Sequence, residues 1–548
     1  MPTRSRGLGD VYTRQGSVKR QCQRLQALIE TGEHQQAFAK VPAIWLSGSS
    51  RPKACDPVFK AWIDAGRLSE ALVWQRIELA MAKGRTRLTG YLKRFLPASE
   101  QAWVERWIAL HHHPERLPRL VKEDHPRRDK IIVHSIKRLA RSDVAQALTL
   151  WQQFQGDSTF SDQQHLRVAR SLAARLVHQP DKQLSQRLLS LVPDHLRLDP
   201  KLSDKQFQIA LQQNDWDLVL FTIDTMSAQE QRKSRWRYWR ARALLQLGQG
   251  DAAEQLLEVL AKERSYYGFL AADRLGNSFS FLNQSISIPT QQLRHVGSLP
   301  GLVRARELKV LGRLLQARRE WNLALQSLTT EELRAAAKLA QTWEWPSQAI
   351  ITLAKIRDWN DLELRFPLAY REQVDQHAKV LGLDSAWIYA ILRQESAFVS
   401  DARSGAGAMG LMQLMPRTAR QVASRSKRAP LKTSDLFHPK VNIELGSNYL
   451  NEVYRKLQEN PVLATAAYNA GPSRVLGWLP EATQPTDIWI ETVPFRETRE
   501  YLKRVLAYTL IYAHRLGEKT ERLPMDWLKP IKAMDEIADS AVTLDSDA

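Results

Sequence analysis

Only two cysteines, Cys22 and Cys55, occur among 548 residues, and two thiols cannot complete the four-ligand set of a structural zinc site. No stretch is long and apolar enough to span a membrane. The opening M-P-T-R-S-R-G-L-G-D lacks the apolar core that an export signal needs. Acidic residues are few beside basic ones: 59 Asp and Glu against 79 Lys and Arg leave a formal charge of +20. That excess attracts polyanions, whether nucleic acid, an anionic membrane or a carboxylate-bearing polymer. Neither zinc-finger spacing nor an RNA-binding motif accompanies it, and the basic residues are scattered among helices as on a solvated surface. Nucleic acid is therefore not the expected partner. The run His111, His112, His113 invites a metal reading, but Pro114 follows and no paired ligands are in view, so a polar interhelical loop is expected and no metal.

What is present is helix. The length exceeds one ordinary domain, and 43% hydrophobic content suffices for several cores. From about Ser17 into the 280s, amphipathic segments of ten to fifteen residues alternate with short polar turns. Residues 237 to 260 show it best, with a turn at Gly248 to Gly250, and Trp239, Ala243, Gly248 and Ala252 echo a tetratricopeptide-type hairpin. The period is irregular elsewhere, so the expectation is an α-superhelix of hairpins without a strict repeat. A looser patch at 278 to 290 precedes a second helical block around 301 to 356, and apolar helices resume after R-F-P-L-A-Y at 365 to 370. The tail from Met534, with Asp535, Glu536, Asp539, Asp545 and Asp547, is acidic and small-residue rich, a composition of disordered chain.

One carboxylate stands out. Glu395 lies seven, four and three positions after Ile388, Ile391 and Leu392, the spacing of a single helical face. A carboxylate pressed against hydrocarbon resists ionisation, so it can keep a proton near neutral pH and act as a general acid. The alternative is a glutamate at a helix end with its head in water. The chain then leaves the helix through a polar loop and a flexible G-A-G-A-M-G run. Gly405, Gly407 and Gly410 spell G-x-G-x-x-G, but the strand, following helix and distant acid of a dinucleotide fold are missing. The glycines are expected to allow a tight backbone path beside a ligand.

Read together, E-S-A-F at 395 to 398, A-R-S at 402 to 404, G-A-M-G-L-M-Q-L-M-P at 407 to 416, A-Y-N-A-G at 467 to 471 and V-P-F-R-E-T at 493 to 498 resemble the soluble lytic murein transglycosylases. The likeness extends upstream through residues 45 to 55 and 365 to 370, so it covers most of the chain. It implies a mainly α protein: an α-superhelical domain at 21–290, a helical linker domain at 291–370 and a lysozyme-like catalytic domain of goose type at 371–525. Residues 1–20 are expected to be disordered or mis-started, since family members carry further helices there, and 526–548 form the acidic tail.

The resemblance further implies cleavage of the β-1,4 bond from N-acetylmuramic acid to N-acetylglucosamine in peptidoglycan glycan strands, leaving 1,6-anhydromuramic ends. No cofactor is implied. Glu395 is the implied acid and then base. Ordinary glycosidases use two carboxyl groups, and here the sequence offers Asp401, in the loop, and Glu497, which the resemblance makes a hydrogen-bonding support. One carboxylate suffices if the substrate's own N-acetyl group steadies the cation. Ser404 matches a serine that orients the acid or bonds the N-acetyl group, although a solvated loop serine reads the same way. Gln413 matches a substrate-contacting amide. Of Met412 and Met415, which could equally be core, Met415 is the implied sugar contact. Tyr468 can stack on a sugar or give its hydroxyl to Glu395, or be structural, and Asn469 belongs with it. Cys22 and Cys55 match a family disulfide, with two free buried thiols as the alternative, and a disulfide places the protein in an oxidising periplasm. Cell-wall synthesis or division proteins are the implied protein partners of a monomer. A lysozyme-like hydrolase and a non-catalytic wall-binding scaffold are the competing readings.

Overall fold

The computed structural model describes residues 17–157, 160–177, 181–426 and 431–534. The expected disorder of the first residues and of the acidic tail thus falls largely outside the described residues. Within them every regular element is a helix, and the only β pairing is in isolated bridges. No described helix is long and apolar enough to cross a membrane. Two compact units result, divided between residues 209 and 210.

The first unit is a series of hairpins around a tryptophan-rich core. Trp45, Trp62, Trp74, Trp103, Trp107 and Trp151 are all buried there. Helix starts follow the sequence: Ser69, extended, accepts from the Leu72 N–H and so caps helix Glu70–Ala82. Cys22, in helix Val18–Glu30, is disulfide-bonded to Cys55 with the two Cα atoms 4.9 Å apart, joining that helix to the turn before Asp56–Asp64. Arg76 lies over the Trp45 ring at 4.0 Å, a cation held against the core by an aromatic face. The histidine run corrects one expectation. His111 and His112 close helix Ala98–His112 and His113 caps it, because the apolar face of that helix continues through Leu110 to His111. His111 Nδ1 lies 3.0 Å from His134 Nε2, and burial holds both imidazoles far below their usual range, at about 4 and about 3.

The second unit opens on more hairpins. Helices Ser234–Gln246 and Gly250–Ala261 flank the turn at Gly248, whose φ of +76° is the left-handed conformation that a helix end favours in glycine. After helix Tyr266–Leu275 the chain runs without regular structure to Thr290. Helices from Thr290–Gly297 to Pro346–Lys355 then build a small core of Trp321, Trp345 and an alanine row, Ala335, Ala336 and Ala337. Beyond Arg371 the central pair is helix Ser385–Ser396 against the long helix Arg496–Leu516. Tyr389 stacks on Tyr512 with ring centroids 5.1 Å apart. Trp387 donates to Thr465 Oγ1 and so fixes helix Pro461–Ala470 beside them.

Two buried ionic knots join the hairpins of this unit to its later helices. Asp487 accepts from the Tyr238 hydroxyl at 2.7 Å, from Arg242 Nε at 3.2 Å and from Arg274 Nη2 at 3.1 Å. Glu491, 1% exposed, meets Arg235 Nη2 and Lys503 Nζ, each at 2.8 Å, and accepts from Tyr267. A buried carboxylate without such partners would be strongly destabilising.

Candidate active site

Asp384 begins the central helix by accepting from the Ala386 N–H at 2.7 Å. Ile388, Ile391 and Leu392 are fully buried, so the apolar face leads to Glu395 as the spacing requires. The helix ends directly afterwards because Ala397 and Phe398 both turn left-handed, with φ of +49° and +65°. Ser396 secures that exit by accepting from the Phe398 N–H. Glu395 therefore sits in the last turn, partly open to the surface, with its carboxyl beside the Tyr501 hydroxyl.

Among the described residues its one hydrogen bond comes from Tyr501, whose hydroxyl donates to Oε1 at 2.7 Å. Burial raises the Glu395 carboxyl from the ordinary 4.5 to about 7; the Tyr501 bond pulls it down and the Glu497 charge pushes it up. With Oε1 occupied as an acceptor, the acid proton belongs on Oε2. The arrangement can thus present an oriented proton near neutral pH.

The loop after the helix is built on one residue. Asn442 is buried, its Oδ1 accepts from the Met412 N–H at 2.7 Å, and its Nδ2 donates to the Met409 and Leu436 carbonyls. Gly410, at φ +78°, passes so close that a Cβ would lie 2.1 Å from the Leu436 oxygen and 2.3 Å from Asn442 Nδ2. The tight approach expected beside a ligand is here, at Gly410, an approach to protein. Ser404 accepts from the Ala408 N–H at 2.9 Å, closing the glycine-rich turn and keeping its own hydroxyl proton to donate. Gln413 is left-handed, and its amide nitrogen donates to the Gly410 and Ala402 carbonyls. Met412 is fully buried, whereas Met415 is 43% exposed, so the two methionines part into core and surface.

Tyr468 donates to the Met412 carbonyl at 2.9 Å. Its hydroxyl thus braces the loop, and the tyrosine that reaches Glu395 is Tyr501. Tyr468 still lies near the acid, whose charge adds to burial in raising the phenol far above its usual value. Asn469 accepts from Thr498 Oγ1 at 2.7 Å and ties A-Y-N-A-G to the long helix. Glu497 is exposed in the first turn of that helix and acts on Glu395 through its charge. Asp401 is committed elsewhere: Arg318 grips both its oxygens at 2.7 Å.

Tyr501 and Asn442 are the residues that sequence reading missed. Tyr501 lies one helical turn after Glu497, a spacing that places it beside the supposed support residue; Asn442 carries no local signal.

Family models match three stretches of the chain: transglycosylase SLT domain at residues 372–489, soluble lytic murein transglycosylase L domain at 295–362, and soluble lytic transglycosylase helical domain at 492–520, which contains Tyr501. The soluble lytic murein transglycosylase of Salmonella typhimurium is 30% identical over 516 residues, covering 92% of this chain and 78% of that protein. Among solved structures, an inactive mutant of a lytic transglycosylase from Pseudomonas aeruginosa superposes with a TM-score of 0.77 at 34% identity, covering 95% of this chain and 85% of the other. The 70 kDa soluble lytic transglycosylase of Escherichia coli gives 0.78 at 27% identity, covering 94% and 84%. With its motifs, helices and acid in this arrangement, the chain belongs to the family of soluble lytic murein transglycosylases.

Proposed function

We propose that this protein cleaves the β-1,4 bond between N-acetylmuramic acid and N-acetylglucosamine in peptidoglycan, with Glu395 as the only acid and base. The carrying observation is a carboxyl group raised to about 7 by burial and oriented by Tyr501. Glu395 gives its proton to the glycosidic oxygen as the bond from muramic C1 to that oxygen breaks. The muramic N-acetyl group steadies the cation at C1. Glu395, now a carboxylate, takes the proton from the muramic C6 hydroxyl while C6–O bonds to C1. The acid is restored, no water is consumed, and a 1,6-anhydro ring closes. That Asp401 is bound by Arg318 supports a mechanism without a second carboxylate.

Ser404, with a free hydroxyl proton, and the exposed Met415 are assigned to substrate. Gln413, Tyr468 and Asn469 are assigned to shaping the loop that receives it. The hairpins at 21–290, the linker at 291–370 and the catalytic helices at 371–525 are the proposed working divisions. The Cys22–Cys55 disulfide supports the periplasm as the site of action, and the charge of +20 suits a polymer bearing carboxylates. Mass spectrometry of digested sacculi tests the reading. Anhydro ends that lack a water are expected from the parent and none from Glu395→Gln; reducing ends that have gained a water would make it a lysozyme-like hydrolase instead. Undiminished digestion by Glu395→Gln would remove the assigned acid.

A further inference from the structure

The second unit holds a cavity that the cleavage chemistry does not use. It measures about 110 Å³ and lies where helix Tyr266–Leu275, helix Thr486–Thr492, the long helix Arg496–Leu516 and a strap at 523–528 meet. Phe269, Leu270, Ile490, Leu510 and Trp527 give it an apolar lining. The strap is pinned on both sides. The Leu523 N–H donates to Asp273 Oδ1 at 3.0 Å, the Thr486 hydroxyl donates to the Lys529 carbonyl at 2.6 Å, and Gln484 and Ile531 exchange backbone hydrogen bonds. The walls are thus in place before any occupant arrives.

An apolar space left empty forfeits packing, and this one also leaves donors unused. Arg274 gives Nε to the Tyr238 hydroxyl at 3.0 Å and Nη2 to Asp487 at 3.1 Å, and among the described residues its Nη1 has no partner. The Tyr266 hydroxyl and the indole N–H of Trp527, both on residues of the cavity wall, have none either. Trp527 is 8% exposed. Burial, and then the Asp487 charge, hold the Tyr266 phenol far above its usual value, so it is a donor at any working pH. Charge points the same way: Asp487 is shared by two guanidiniums, Arg242 and Arg274, which leaves this ionic knot one positive charge in excess. What the wall lacks is an anionic acceptor. A carboxylate supplies the charge and several lone pairs at once. For the body, an apolar cavity of about 150 Å³ takes up benzene, so this smaller one has room for about one ring or a chain of similar size.

We propose that this cavity binds a small monocarboxylic acid, its ring-sized apolar body among Phe269, Leu510 and Trp527 and its carboxylate on Arg274 and Tyr266. Such an occupant ties the hairpins to the long helix that carries Tyr501. The inference does not depend on the glycan-cleaving reading, and its test needs no substrate. Benzoate is the probe, followed by isothermal titration and thermal melts of the full chain. It should bind saturably below about 10 mM and raise the melting temperature with concentration, as a ligand of the folded state does. Glu395→Gln should bind it as the parent does. Benzamide, with the same ring and no charge, should bind about tenfold more weakly. Tyr266→Phe removes a hydroxyl that has no partner in the protein, so it should melt like the parent and bind benzoate about fivefold more weakly. Ala507→Leu adds bulk to the cavity wall and should abolish binding in a protein that still folds. No saturable binding, equal affinity for benzamide, or binding that survives Ala507→Leu overturns the proposal. Should that variant fail to fold, undiminished binding by Tyr266→Phe overturns it instead.

Discussion

Glu395 and Glu491 both carry desolvated carboxyl groups, and they meet opposite fates. Glu395 has a neutral phenol for a partner and is pushed up to about 7. Burial opposes ionisation of Glu491 as well, but Arg235, Lys503 and the Tyr267 hydroxyl outweigh it and hold the carboxylate ionised far below the usual range. The same long helix serves both. Tyr501 faces Glu395 and Lys503, two residues on and across the helix, faces Glu491. Identical side chains are thus held protonated near neutral pH in one place and ionised in the other, and the partner on the helix decides which.

Removing each partner in turn breaks that contrast. Glu395→Gln has the largest expected effect, a loss of about a thousandfold or more in the rate of anhydromuropeptide release, as deletion of a general acid would give. Lys503→Met leaves Glu491 short of a counter-charge in the interior. It should cost about 3 kcal/mol of stability, read as a lower denaturant midpoint, and Glu491→Gln in the same chain should restore much of it. Activity per folded molecule should change far less.

The raised carboxyl also has a stability signature. The unfolded chain releases the Glu395 proton near 4.5 and the folded chain keeps it to about 7. Between those values the folded state binds more protons, so this group's contribution to stability falls as pH rises through the window and levels off above it. Glu395→Gln should therefore be more stable than the parent at pH 8, by at most about 3 kcal/mol, and gain nothing at pH 4. Thermal melts at the two values check this. For Glu491 the sign is opposite: its contribution is present above the ordinary carboxylate range and lost in strong acid. Smallest of the four is Tyr501→Phe. It removes a hydrogen bond that favours the carboxylate, so the alkaline limb of the rate profile should move upward while kcat falls about tenfold.

How legible this was in the sequence varies with distance along the chain. Glu395 could be read because its apolar neighbours lie within two helical turns. The hairpin at 237–260 could be read because glycine marks its turn. Tyr501 could not, since R-E-Y-L-K-R-V-L places it within an ordinary amphipathic helix and its partner is 106 residues away. Nor could Asn442, whose role exists only when the Met409, Met412 and Leu436 backbones converge on it. The histidine run misled because Pro114 marks the end of a helix that had already absorbed two of the three. Composition and local period thus reached the raised Glu395 carboxyl and the helical architecture, while Tyr501 and Asn442 depended on long-range register.

The most direct measurement is a titration of the Glu395 carboxyl itself, by carbon NMR of labelled protein with Glu395→Gln supplying the assignment. A midpoint close to 7 is predicted, moving higher in Tyr501→Phe. A midpoint near 4.5, unmoved by loss of the phenol, would mean that the side chain is solvated and ionised at neutral pH and cannot be the acid.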